Sequence, residues 1–453
     1  MKETVQSASL LIVLSLAFGA CVTQPSGNSN SGVVQTTPSP TASPTEVASE
    51  TPPITLPVLD AFFASDSRFA TELKAQVNLT DEQIERLRSV AREETSKLRE
   101  RENGDYSGTT TEARELAENR IKEIVGEEKA SALAKFVSER WRGNETADGG
   151  EAKPETSTAS KEASLPSTPN SIPNDSRVVV NIPAYRMDVF DNGRLLKSYK
   201  IGIGYPEFPL PTGVREAKAI IFNPPWTPPD EPWVEAPNSK VKVGQKVEAG
   251  SKLNPLGVLK IPIGSPSLIH GGKSPAKLGT FASHGCVGLT DPLAQDFSKV
   301  LAQLAGTKLS DADLAAFKRN RSETKQVTLG RTIPVELRYE TIVAEDGKLH
   351  IFRDVYDHNS NTEENLRAVL SANGVNLEDL SEAERAEVMA ALLEMSRDAR
   401  GKLDQPSATA SPSPSPAKNR SRRITRTVKG KKEIVIDIAA LKGKGYPQIA
   451  QIK

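Results

Sequence analysis

Hydrophobic positions along this chain change their period twice. From residue 58 to 145 they recur at helical spacing. Ile84, Leu87, Ala91 and Leu98 form one stripe, Leu116, Ile124 and Val125 a second, and Leu133, Val137 and Trp141 a third. Leu79-Thr80-Asp81-Glu82-Gln83-Ile84 predicts a complete helix start: Thr80 as N-cap, Gln83 closing a capping box, and Leu79 with Ile84 as a hydrophobic staple. A second helix is expected after Thr111. At residue 177 alternation takes over. Val178–Ile182, Tyr185–Phe190 and Leu195–Ile203 read as strands, with Asn192-Gly193 as a hairpin turn. Ile333–Val343 and Lys348–Phe352 predict another hairpin across Asp346-Gly347. Long Pro- and Gly-rich connections lie between, at Pro206–Gly213, Asn223–Pro237 and Lys252–Gly264, and loops on a rigid sheet usually carry the site. One clear helix follows, with Asp291 as cap, Pro292 at its first position, and Leu293, Phe297, Val300, Leu301 and Leu304 inward. From 358 to 403 the helical period returns, started by a Ser381/Glu384 capping box ahead of Val388, Leu392, Met395 and Ala399.

Polar, Ser/Thr/Pro-rich stretches separate these blocks, and such composition forms tethers rather than cores. The expected layout is an export signal (1–20), a tether (21–57), a helical module (58–145), a linker (146–176), a mostly β domain (177–357), a helical appendage (358–403), a linker (404–417) and a basic end (418–453). Lys2, the apolar run Leu10–Phe18 and Gly19-Ala20 read as the signal, too short to span a bilayer. Phe18-Gly19-Ala20-Cys21 resembles a lipobox, which implies lipidation of Cys21. An exported, periplasmic, lipid-anchored protein is expected, with the outer membrane favoured.

The chain has 453 residues with 58 basic and 58 acidic side chains, so no global signal for nucleic acid exists. Only two cysteines are present. If Cys21 carries lipid, Cys286 has no disulfide partner and is a free thiol in an oxidising compartment. Its surroundings, Ser283-His284-Gly285-Cys286-Val287, form a polar Gly-flanked turn unsuited to burying an inert cysteine. Ile269-His270-Gly271-Gly272 lies shortly upstream. A thiol beside an imidazole is the minimum apparatus for covalent acyl transfer. Spacing slightly favours His284 as the partner, because residues two apart share a face in extended chain. Zinc is the competing chemistry, but no fourth ligand stands at suitable spacing, so neither metal nor cofactor is expected.

These motifs resemble the L,D-transpeptidases with a YkuD-like (ErfK-like) catalytic domain. The resemblance runs from about Val178 to Tyr356. It rests on Ile269-His270-Gly271, Leu278-Gly279 and Ser283–Val287, with Pro211-Thr212-Gly213, Pro225–Pro229, Asn254–Gly257, Pro334–Tyr339 and Asp354-Val355-Tyr356 in the same order. It implies a β-sandwich with one or two helices. It implies Cys286 as nucleophile, His270 as proton donor and acceptor oriented by the Gly271 carbonyl, and backbone N–H groups of His284, Gly285 and Cys286 as oxyanion hole. Ser283 is then a hydrogen-bonding support. Trp226, Trp233 and Lys273 are candidates for the substrate groove. The implied reaction joins peptidoglycan stem peptides, a tetrapeptide donor and an amine acceptor, into 3–3 cross-links through a thioester. Water or a protein amine as acceptor would make the same site a carboxypeptidase or an anchoring ligase. A different class of reading is an inactive wall-binding, stress-sensing module. In one place the sequence departs from the resemblance: Gly288 stands two residues after the cysteine, where many members carry Arg. Arg215, Lys218 and Lys273 are the alternative cations.

Leu79-Thr80-x-x-Gln83 weakly resembles a motif of small periplasmic stress proteins, and an accessory role is expected for that module. Lys418–Lys432 holds eight basic residues and no acid, which in an exported chain suggests an anionic envelope polymer or lipid headgroups. His350 and His358 are expected to be surface or packing residues.

Overall fold

Three of the N-terminal helices begin at a threonine, Thr55, Thr80 or Thr109, whose side chain accepts from a free N–H of the first turn. A computed structural model describes residues 54–97, 109–141, 168–228, 234, 239–402 and 428–447. Five helices come first: α1 (Leu56–Ser65), α2 (Phe69–Val77), α3 (Asp81–Lys97), α4 (Thr110–Val125) and α5 (Glu127–Trp141). At α3, Gln83 N donates to Thr80 Oγ1 and Thr80 N to Gln83 Oε1, both at 3.1 Å, and Leu79 and Ile84 are buried together. α4 is capped by Thr109, two residues ahead of the expected Thr111. α1 and α2 were not foreseen. The expected end of the tether at residue 57 falls inside α1, where Thr55 Oγ1 accepts from Val58 N and Pro57 stands in the first turn. Their reason is aromatic. Phe62 stacks on Phe69 with centroids 5.2 Å apart, and Trp141 meets Phe62 edge-on. Arg140, almost fully buried beside them, is paired to both Asp66 and Glu72. The signal, Cys21 and the tether up to residue 53 lie outside the described residues.

The β domain is an eight-stranded mixed sheet, in the order β3-β2-β1-β10-β5-β6-β7-β9. Its strands are β1 (Arg177–Asn181), β2 (Arg186–Asp191), β3 (Arg194–Lys200), β5 (Gly213–Phe222), β6 (Leu259–Pro262), β7 (Leu268–His270), β9 (Val287–Gly288) and β10 (Lys325–Arg338). A short parallel pair, β4 (Ile203–Gly204) with β8 (Phe281–Ser283), sits beside it. Asn192 and Gly193 both take positive φ in the β2–β3 hairpin, as its tight turn requires. Gly202, just past edge strand β3, bridges Gly288 on the opposite edge strand β9. The sheet therefore curls until its two edges meet, which places the chain around β9 at a seam. Helix α6 (Asp291–Leu304) lays Ala294, Phe297 and Leu301 into the core, and α7 (Asp311–Arg319) follows.

Several expected boundaries move. Lys252–Gly264, read as a loop, contains strand β6. Ile333–Val343, read as one strand, is divided between β10 in the main sheet and β11 (Ile342–Glu345) in a second sheet. Asn170, expected in a linker, donates to Ile342 O and accepts from Ala344 N, so ordered chain begins before Arg177. The cap of α6 is Thr290, whose Oγ1 accepts from Leu293 N, not Asp291.

The second sheet joins β11, β12 (Lys348–Phe352) and β13 (Glu433–Asp437), with α8 (Glu363–Ala372) and α9 (Glu382–Met395) packed on it. Ser381 and Glu384 form the expected capping box of α9. The appendage and the far end of the chain, expected as separate pieces, thus share one core that includes Ile351, Val369, Leu392 and Ile436.

A candidate active site at the curled seam

β7 and β9 run parallel, with Ile269 beside Val287 and His270 beside Gly288. Side chains alternate along a strand, so Ile269 and Val287 enter the core while His270 and Gly288 present the other face. Cys286 stands one residue before β9 and two before Gly288, the register partner of His270. The fold thereby brings the distant His270 beside the strand into which Cys286 leads. His270 Nδ1 lies 2.7 Å from Gly271 O, which as a donor bond leaves Nε2 with its lone pair. Burial, and secondly the charge of Lys273, push the imidazole down to about 3, while the carbonyls of Gly271 and Leu256 oppose this. His270 is therefore neutral near pH 7.

The loop that carries Cys286 is pinned by Ser283. Cys286 N donates to Ser283 Oγ at 3.0 Å, and Ser283 Oγ donates back to Cys286 O at 2.5 Å. The Cys286 N–H, expected to face an oxyanion, is thus engaged within its own turn. Gly285 turns the chain at φ +89°, a conformation that costs a residue with Cβ. His284 packs edge-on to Tyr205 and Phe208, with centroids 5.2 and 4.7 Å away. Tyr205 N donates to Ser283 O, so the Tyr205–Phe208 turn backs this loop. The helical module holds the same turn: Thr55 Oγ1 donates to Glu207 O and Thr110 Oγ1 to Pro206 O.

Asp291 does other work than capping. Its Oδ1 accepts from Gly272 N at 2.8 Å and Val258 N at 3.1 Å, tying the turn after His270 to the head of α6. Sequence pointed to it only as a helix start, because Thr290-Asp291-Pro292 offers two capping residues in a row. Tyr205 and Phe208 carried no signal beyond lying in a Pro-rich loop.

Of the groove candidates, Trp226 is half-buried and bridged through its backbone to Val247, and Trp233 lies outside the described residues. Lys273 is half-buried, and its backbone N donates to Leu289 O. Arg215 is fully buried, donating to Ile263 O and Gly264 O, and Lys218 is exposed beside Glu216. His350 pairs with Glu433, and His358 stacks on Tyr339 at 4.0 Å. Among the described residues no group of three or more His, Cys, Asp or Glu is placed to hold a metal.

Residues 175–310 match the YkuD family, the L,D-transpeptidase catalytic domain. The matched residues contain the seam and both motifs, while β10 lies past them. No curated protein matches the chain. Among solved structures, an L,D-transpeptidase from Mycobacterium smegmatis is 16% identical, over 36% of this chain and 58% of that one, with a TM-score of 0.23. The E. faecium L,D-transpeptidase catalytic domain is 15% identical, over 37% of this chain and 100% of that one, at 0.24. L,D-transpeptidase 3 from Mycobacterium tuberculosis is 15% identical, over 36% and 60%, at 0.23. The matched part thus spans less than two thirds of the first of these chains.

Proposed function

We propose that this protein is a cysteine-dependent peptidoglycan L,D-transpeptidase. The observation that carries the reading is the pairing of His270 on β7 with Gly288 on β9, two residues past Cys286, inside the residues that match the YkuD family.

The neutral His270 accepts the Cys286 proton at Nε2 as sulfur attacks the carbonyl of the third residue of a tetrapeptide stem. The oxyanion is held by backbone N–H groups of the loop. With Cys286 N–H directed to Ser283 Oγ, His284 and Gly285 are the donors that remain from the expected set. The C–N bond breaks, His270 returns the proton to the departing D-alanine amine, and a thioester is left. An amine of a neighbouring stem then attacks the thioester, His270 takes its proton, and sulfur leaves to recover it. The product is a 3–3 cross-link. Such a substrate places the protein in the cell envelope, in keeping with the expected signal and lipidated Cys21. Among the described residues no helix is long and apolar enough to cross a membrane.

The full chain incubated with tetrapeptide muropeptides is expected to yield cross-linked dimers by mass spectrometry, and a carbapenem is expected to add its mass at Cys286. Equal products from wild type and Cys286→Ala would sink the reading. Free tripeptide without dimers would redirect it to hydrolysis.

A further inference from the structure

Gly288 leaves a space on the catalytic face, and Lys273 fills it. A Cβ built on Gly288 would stand 2.8 Å from both Cγ and Cε of Lys273, and its three nearest atoms all belong to that side chain. The lysine stem therefore lies flat along Gly288, two residues from Cys286 and on the face that His270 shares. Its backbone is fixed there by the bond from Lys273 N to Leu289 O at 3.0 Å. Among the described residues no carboxylate lies within 4.0 Å of its ammonium group. A half-buried ammonium with no acidic partner costs solvation that something else must offset. Burial lowers the Lys273 ammonium, and a Cys286 thiolate is the group that raises it again.

We propose that Lys273, laid along Gly288, is a positioning residue whose ammonium stabilises the Cys286 thiolate. The inference rests on Cys286 being the nucleophile. The logic is that His270, held neutral by burial, is a poor counter-ion, although it remains a competent proton acceptor. A thiolate forms more readily beside an ammonium group. The other titratable or charged groups around this face are His284 on the loop, Lys277 in the short turn after Lys273, and Asp291 at the head of α6. Lys200 and Lys432 gather further off, at Gly279. None of these lies along Gly288 as Lys273 does.

The test is the pH dependence of iodoacetamide alkylation at Cys286 in the full chain. Lys273→Met is expected to move the thiol midpoint up by about 1 unit or more, a roughly tenfold loss of thiolate at neutral pH. Lys273→Arg is expected to keep the wild-type midpoint. Gly288→Ala supplies a second route, because its added methyl must displace the lysine stem, a flexible group, and it is expected to raise the midpoint with the Lys273 residue itself unsubstituted. An unchanged midpoint in Lys273→Met overturns the proposal, including when KM for the muropeptide rises, which would make Lys273 a holder of a substrate carboxylate. Alkylation needs no peptide, so this result stands apart from the muropeptide assay.

Discussion

Two cations sit in low-polarity surroundings in two different parts of this molecule, and they are treated differently. Arg140 in the helical module is almost fully buried and flanked by the carboxylates of Asp66 and Glu72, with the rings of Phe69 and Phe136 against it. Lys273, inside the residues that match the YkuD family, is half-buried, lies along Gly288 and, among the described residues, has no carboxylate within 4.0 Å of its ammonium. A matched charge of the first kind fixes how helices join. An unmatched charge of the second kind is left available to a neighbouring group that can become negative.

The sharpest way to break this contrast is to remove Arg140. Arg140→Met leaves two carboxylates against aromatic rings and is expected to cost about 3 kcal/mol or more in chemical denaturation. Turnover per folded molecule is expected to stay near wild type, and a loss of turnover without a loss of stability would erase the distinction. The next effect is pH-dependent. His270 is held neutral in the folded state, with a value of about 3, against an unfolded value near 6.5. The unfolded chain thus binds the extra proton first, and stability falls as pH drops from about 6.5 towards 3. One such group contributes a slope of up to about 1.4 kcal/mol per pH unit. His270→Gln is expected to flatten that part of the stability curve, and an unchanged slope would place the acid sensitivity elsewhere. A smaller effect tests the module alone. Thr80→Ala removes the α3 cap and is expected to cost about 1 kcal/mol with no change in cross-linking. Smallest in stability is Lys273→Met, expected within about 0.5 kcal/mol of wild type by denaturation, although its thiol titrates higher. A large destabilisation there would make Lys273 a structural cation like Arg140.

What could be read from sequence was local. The Thr80/Gln83 and Ser381/Glu384 boxes need only residues three apart, and both form as expected. The Asn192-Gly193 turn likewise depends on two neighbours. α1 and α2 escaped because their helices are short and their aromatic partners on α5, Trp141 for Phe62 and Phe136 for Phe69, are far along the chain. The pairing of His270 with Gly288 depends on register across a crossover, which no spacing rule reveals. The resemblance pointed to His270, and the parallel pair supplies a physical reason for it. The role of Asp291 was hidden because a carboxylate at a helix start has a sufficient local explanation, and its partners, Val258 and Gly272, are distant.

The basic end of the chain has a bearing on how this protein is made. β12 receives its outer partner from Glu433–Asp437, some eighty residues later. Buried Arg353 fastens the approach through the Lys431 and Lys432 carbonyls, and Lys432 Nζ reaches Gly279 O in the chain between the two motifs. During synthesis or export the catalytic strands are therefore complete well before this last strand arrives. Until then β12 shows an open edge, with Leu349 and Ile351 lacking the cover of Ile436. A polypeptide stopped at residue 403 would keep every residue of the seam yet present a sticky border to its neighbours, so losses on truncation are those of solubility before those of chemistry.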